Sequence, residues 1–234
     1  MERTSYDVMV RREKNVAFQI YVHPCPESHA VIINFPGMNS HIDGYNNKYR
    51  KIAQWVVERK LAAFVQMPNV ERDNETYRTS LAKDLQAVYA YVADNAGEFC
   101  ASARPKVYLM GLSAGAAAIA AMAHKLPLVE KILLISPAGA GEPEVKEGLP
   151  KFTGEVSILI GDEDNRHRVN RIPVGQWFAN AAQHAKKLSY RLVLGCDHHM
   201  TGTENGKILS LAPFWAFGKE RIDVLDSEKG IELY

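Results

Sequence analysis

The chain has 234 residues, 47 % of them hydrophobic, which is enough to bury one sizeable core. Lys plus Arg is 28 and Asp plus Glu is 27, so the formal net charge is +1, and nothing in that balance points to nucleic acid or an anionic membrane surface. The three cysteines, Cys25, Cys100 and Cys196, are odd in number and far apart, so they form neither a disulfide framework nor a metal cluster and suit a reducing compartment.

The N-terminal stretch MERTSYDVMVRREK is charged and has no apolar run behind it, so no signal peptide is expected. No apolar stretch reaches the length a membrane span needs. The expected location is cytoplasmic. In chain order, Tyr6–Val10 and Val16–Val22 are β-forming runs that read as a hairpin at one sheet edge. Ala30–Phe35 is a buried strand. Tyr49, Ile52, Ala53, Val56 and Val57 mark one face of a helix near residues 46–60, and Ala62–Gln66 is the next strand. Leu81, Leu85, Val88, Tyr89 and Val92 mark a second helix, with Ser80 as its N-cap. Strand Val107–Met110 runs into helix Ala114–Lys125. Ile132–Ile135, Val156–Ile160 and Tyr190–Leu194 are further strands. Trp177, Phe178 and Ala181 suit a fourth helix, and Ile208–Phe217 a fifth. Gly139–Gly154, rich in Gly, Pro and Glu, reads as a loop with room for one helical turn.

The later strands are short, apolar on both faces and bounded by Gly, Pro or Asp, as strands covered on both sides are. Strands alternating with helices predict an α/β class: a mostly parallel sheet flanked by helices on both faces, in one domain over residues 1–234.

One hydroxyl breaks the pattern. Ser113 sits where an apolar strand meets an alanine-rich helix, in the sequence Gly111-Leu112-Ser113-Ala114-Gly115. A nucleophilic serine must hold its oxygen clear of the backbone. A sharp strand-to-helix turn does this, with small residues two positions away on either side. The helix N-terminus adds free N–H groups where an oxyanion forms. A Gly-x-Ser-x-Gly match arises by chance in about one chain in twelve of this length, so the strand before it and the helix after it carry the reading.

Such a serine needs a base, an orienting carboxylate and oxyanion donors, all at carboxyl ends of strands. Strand Val156–Ile160 ends in Gly161-Asp162-Glu163-Asp164. Asp164 is the preferred acid, with Asp162 and Glu163 as alternatives. Strand Tyr190–Leu194 ends in Gly195-Cys196-Asp197-His198-His199. His198 is the preferred base and His199 the reserve. Adjacent histidines chelate one metal ion poorly and no third ligand is suitably spaced, so no metal is expected. Strand Ala30–Phe35 ends in Pro36-Gly37-Met38-Asn39, where the backbone N–H of Met38, with that of Ala114, is placed to hold an oxyanion. Asn39, Tyr45, Leu112 and His199 are candidate substrate contacts. Arg166, His167, Arg168 and Arg171 after the acid read mainly as charged surface. Gly139-Ala140-Gly141 lacks the third glycine of a nucleotide loop.

With these residues in the order Ser113, Asp164, His198, the sequence resembles the α/β-hydrolase superfamily over nearly its whole length, without a subfamily being identified. The resemblance implies that fold and a serine hydrolase with a Ser-Asp-His triad, an acyl-enzyme intermediate and no cofactor. It implies a small-molecule acyl substrate. An ester of small or medium size is expected; a thioesterase, amidase or peptidase uses the same triad, and a non-catalytic receptor or scaffold on the same fold is the other alternative. Many members carry His-Gly where this chain has Pro36-Gly37. Only residues 136–155 separate the strands ending at Ile135 and starting at Val156, the usual place of a lid, so no large lid domain is expected.

Overall fold

A computed structural model describes residues 5–12, 16–69, 77–218 and 231–233. The strands are β1 Tyr6–Arg11, β2 Ala17–His23, β3 Ala30–Phe35, β4 Ala63–Gln66, β5 Lys106–Leu112, β6 Val129–Ile135, β7 Glu155–Gly161, β8 Arg168–Val169, β9 Ile172–Pro173, β10 Lys187–Val193 and β11 Ile231–Leu233. The helices are α1 Lys48–Glu58, α2 Tyr77–Asn95, α3 Ala114–Met122, α4 Pro143–Gly148, α5 Asp162–Asn165, α6 Val174–Ala181 and α7 Thr203–Phe217. Among the described residues, nine strands form one sheet in the order β1-β2-β4-β3-β5-β6-β7-β10-β11. The pairs from β4 through β10 are parallel, and the edges are antiparallel: β1 and β2 form the expected hairpin, and β11 closes the other side against β10.

Burial explains the pattern. Every residue of β3 is buried, because helices cover both its faces. On one face Val31, Ile33 and Phe35 join Leu85 and Val88 of α2, Ile119 of α3 and Phe178 of α6. On the other, Ile32 meets Tyr49, Ile52 and Val56 of α1 and Leu209 and Phe214 of α7. The α1 residues recur at the three- and four-residue spacing of a single helical stripe.

Ser80 and the 139–154 segment differ from the sequence reading. Ser80 does not cap α2, which begins at Tyr77; its hydroxyl accepts a hydrogen bond from the Arg12 guanidinium at 3.3 Å, and Arg12 also pairs with Asp84 at 2.8 Å in a buried cluster. The loop 139–154 holds α4 and a further 3-10 turn at Leu149–Lys151. No helix among the described residues is long and apolar enough to cross a membrane.

Candidate active site

The parallel strands β3, β5, β7 and β10 all end on one side of the sheet, and their exits meet there. Ser113 lies at the tip of the β5–α3 turn with φ 54° and ψ −117°, a conformation that an L-residue adopts only under strain of about 1–3 kcal/mol. Two glycines make it possible. A Cβ at Gly111 would lie 2.7 Å from the Ala116 nitrogen, and one at Gly115 would lie 2.1 Å from the Phe35 carbonyl oxygen. The helix therefore starts in backbone contact with the end of β3. The Ser113 amide donates to the Ile135 carbonyl at 2.9 Å, and its carbonyl accepts from Ala117 and Ala138.

The imidazole beside this serine is His198. Its Nε2 lies 2.8 Å from Ser113 Oγ, and its Nδ1 lies 2.6 Å from Asp164 Oδ2. With the Nδ1 proton directed at the carboxylate, Nε2 is left as an acceptor for the serine hydroxyl. Hydrogen bonding to Asp164 raises the His198 pKa above the ordinary 6.5; burial and the Lys48 ammonium oppose this without cancelling it, and the Asp164 and Asp197 charges add to it. His199 is exposed and meets His198 edge to face, ring centroids 5.1 Å apart.

The competing carboxylates are placed differently. Asp162 Oδ1 accepts from the Cys196 amide at 3.1 Å, which ties the β7 exit to the β10 exit; Glu163 is exposed. That junction is tight, since a Cβ at Gly161 would lie 2.2 Å from the Cys196 carbonyl oxygen. Asp197 Oδ1 accepts from the amides of His199 and Thr201, at 3.2 and 2.8 Å, and so shapes the turn that presents His198. Burial pushes the Asp197 carboxyl up, but its bonds to Thr201 and His199 outweigh this and hold it below its ordinary value.

The β3 exit approaches the same point. A Cβ at Gly37 would lie 3.4 Å from Ser113 Cβ, in ordinary contact. Ala114 is the first residue of α3, so its N–H has no partner within the helix. Asn69, absent from the sequence expectations, fixes this turn: its Nδ2 donates to the Pro36 carbonyl at 2.8 Å and its amide to Ser40 at 3.0 Å. A single asparagine three residues beyond a strand carries no sequence signal for such a role.

Met38 and Ala114 both border a groove of about 300 Å³ that runs along α3 between α2 and α4. Of the expected substrate contacts, Asn39, Tyr45 and His199 are exposed and do not line it; Asn39 has a left-handed φ of 53°. Leu112 is a core residue beneath the sheet end, packed with Met110 and the α1 and α7 side chains. The Gly139–Gly141 stretch borders the groove at Gly139, and Gly141 backs onto Val169 of the small β8–β9 hairpin.

No family model matches the sequence, and no curated protein is significantly similar to it. Solved structures are similar in shape. A dienelactone hydrolase from Anabaena variabilis superposes with a TM-score of 0.71 at 14 % identity, over 93 % of this chain and 100 % of that one. The esterase domain of a Rhodothermus marinus protein gives 0.66 at 14 % identity, over 92 % and 100 %. Carboxyl esterase 2 from Tuber melanosporum gives 0.67 at 16 % identity, over 93 % and 86 %. With its strand order, its antiparallel first edge and its strained serine after the fifth strand, the chain has the α/β-hydrolase fold.

Proposed function

We propose that the protein is a serine hydrolase that cleaves a carboxylic ester through an acyl-enzyme. The observation that carries this reading is the unbroken relay from Asp164 through His198 to Ser113, with contacts of 2.6 and 2.8 Å. His198 takes the Ser113 proton as Oγ attacks the acyl carbonyl. Asp164 holds the imidazole tautomer and stabilises the imidazolium. The N–H groups of Met38 and Ala114 receive the oxyanion, each contributing about 3 kcal/mol to barrier lowering. His198 then returns its proton to the leaving alcohol, and the same base activates water to release the acid. No metal or organic cofactor has a step in this scheme. All three cysteines are free thiols, which suits a reducing compartment.

Labelling tests the reading. A fluorophosphonate probe is expected to modify Ser113 in the native protein and to leave Ser113→Ala unmodified. Equal labelling of both, or none of the native protein, overturns it in favour of a non-catalytic role.

The pH profile follows from the raised His198 pKa. The protonated imidazole cannot accept the serine proton, so activity is present above its pKa and lost as pH falls through it. The acid limb of kcat/KM for a short p-nitrophenyl ester is therefore expected above pH 6.5. A limb below 6.5 would mean that Asp164 does not act on the imidazole as its position indicates.

A further inference from the structure

We infer that the groove between α2, α3 and α4 takes the straight acyl chain of the substrate, which makes the enzyme selective for medium to long chains over acetate. This rests on the ester-hydrolase reading and extends it to the substrate class. Met38 and Ala114 line the groove, while Ser113 and His198 do not; they follow directly on Gly37 and Ser113, and a Cβ at Gly37 would lie 3.4 Å from that of Ser113, so the groove opens beside the position of the attacked carbonyl. Its floor is a run of small side chains, Ala117, Ala118 and Ala121, on one face of α3. Leu81 of α2 forms one wall and Val145 of α4 the other.

Shape and polarity select the occupant. From Ala114 to Lys125, α3 and the 3-10 turn after it advance about 18 Å, the length of an extended chain of on the order of twelve to fourteen carbons. The floor and both walls are apolar. Of the charged residues that border the groove, Lys125, Glu144 and Glu147 are exposed and form its rim; His124 and Glu142 are half-buried, the Glu142 carboxylate lying beside Gly139 and Ala117. A sugar or peptide in this position would leave its polar groups without partners along the floor, at a cost of about 1–3 kcal/mol each. A hydrocarbon chain requires no partners. Each methylene that leaves water strengthens binding roughly fourfold.

The backbone crossing that shapes the groove is close. A Cβ at Gly148 would lie 2.3 Å from the Ala121 carbonyl oxygen, which holds α4 against α3. Ala121→Phe is expected to fill the far half of the groove. Ala82→Phe, on α2, narrows it from the opposite wall and remains informative if the first variant fails to fold.

The experiment has two arms. The first measures kcat/KM for p-nitrophenyl acetate, butyrate, octanoate and laurate in the native protein and both variants. The second follows laurate binding, below its micellar concentration, to Ser113→Ala by calorimetry, with and without Ala121→Phe or Ala82→Phe. The native protein is expected to prefer laurate to acetate, and the laurate-to-acetate ratio should fall about fiftyfold in the variants, the worth of roughly three buried methylenes. Laurate binding to Ser113→Ala should be lost with either filling substitution. An unchanged ratio in both variants, or short esters turned over with no laurate bound, overturns the assignment. Laurate bound and then displaced by the substitutions, with no ester hydrolysed at all, upholds the groove's ligand and refutes the hydrolase reading instead.

Discussion

His198→Ala is expected to lower kcat for ester hydrolysis by about 10⁴-fold or more, while His199→Ala stays within about threefold of the native value. The contrast follows from geometry. His198 Nε2 is 2.8 Å from the Ser113 oxygen, and its other nitrogen is held by Asp164. Without it no base remains within reach of the hydroxyl among the described residues: Asp164 contacts the far side of the imidazole, and the other carboxylates of that turn are engaged elsewhere or exposed. His199 supplies only an edge-to-face ring contact. Its removal leaves the loop's shape to Asp197, which is bound to backbone amides rather than to the His199 ring. Steady-state kinetics of both variants on one p-nitrophenyl ester checks the pair. Losses of similar size in the two would show that either imidazole serves as base.

Much of this arrangement was legible in the chain because its signals are local. Buried parallel strands announce themselves by apolar residues on both faces, and the exits that carry the candidate site by a glycine. Gly111, Gly161 and Gly195 all mark such exits, and Ser113, Asp164 and His198 follow within a few residues. His198 was preferred over His199 from the sequence, but adjacent residues share the same sequence context, and it is the turn set by Asp197 that directs only His198 at Ser113. Leu112 packs in the core and does not line the groove, for a related reason. It neighbours Ser113 in sequence, but alternation along β5 sends its side chain to the face opposite the groove. The elements missed are those with weak periodicity. The β8–β9 hairpin has two-residue strands joined by Asn170 and Arg171, both at positive φ, and arginine gives no hint of that conformation. The β10 strand starts at Lys187 rather than Tyr190, because its first residues are exposed and break the apolar run. Asn69 and Asp162 act through bonds to distant backbone groups, and no one-dimensional pattern encodes such contacts.

Gly115→Ala tests how the fold couples the serine turn to the oxyanion donors proposed above. A methyl group there would meet the Phe35 carbonyl oxygen at 2.1 Å and the Pro36 carbonyl oxygen at 2.5 Å. Both atoms are backbone, so no side-chain rotation relieves the clash, and α3 must move away from the end of β3. That motion separates the Ala114 amide from the Met38 amide. Loss of one oxyanion donor slows acyl transfer about 10²–10³-fold, and overpacking a core contact destabilises by about 1–3 kcal/mol. The expected result is therefore a 10²–10³-fold fall in kcat, with KM for short esters changed far less, and a lower unfolding midpoint. Gly206→Ala is the matched control. Gly206 lies inside α7, a Cβ there meets nothing within 4 Å, and its backbone is not left-handed. The same methyl group should raise stability by up to about 1 kcal/mol through helix propensity alone and leave kcat intact. If Gly115→Ala retained native kcat, the amides flanking Ser113 would be free to move without consequence, and the oxyanion role given to Met38 and Ala114 would have to be withdrawn.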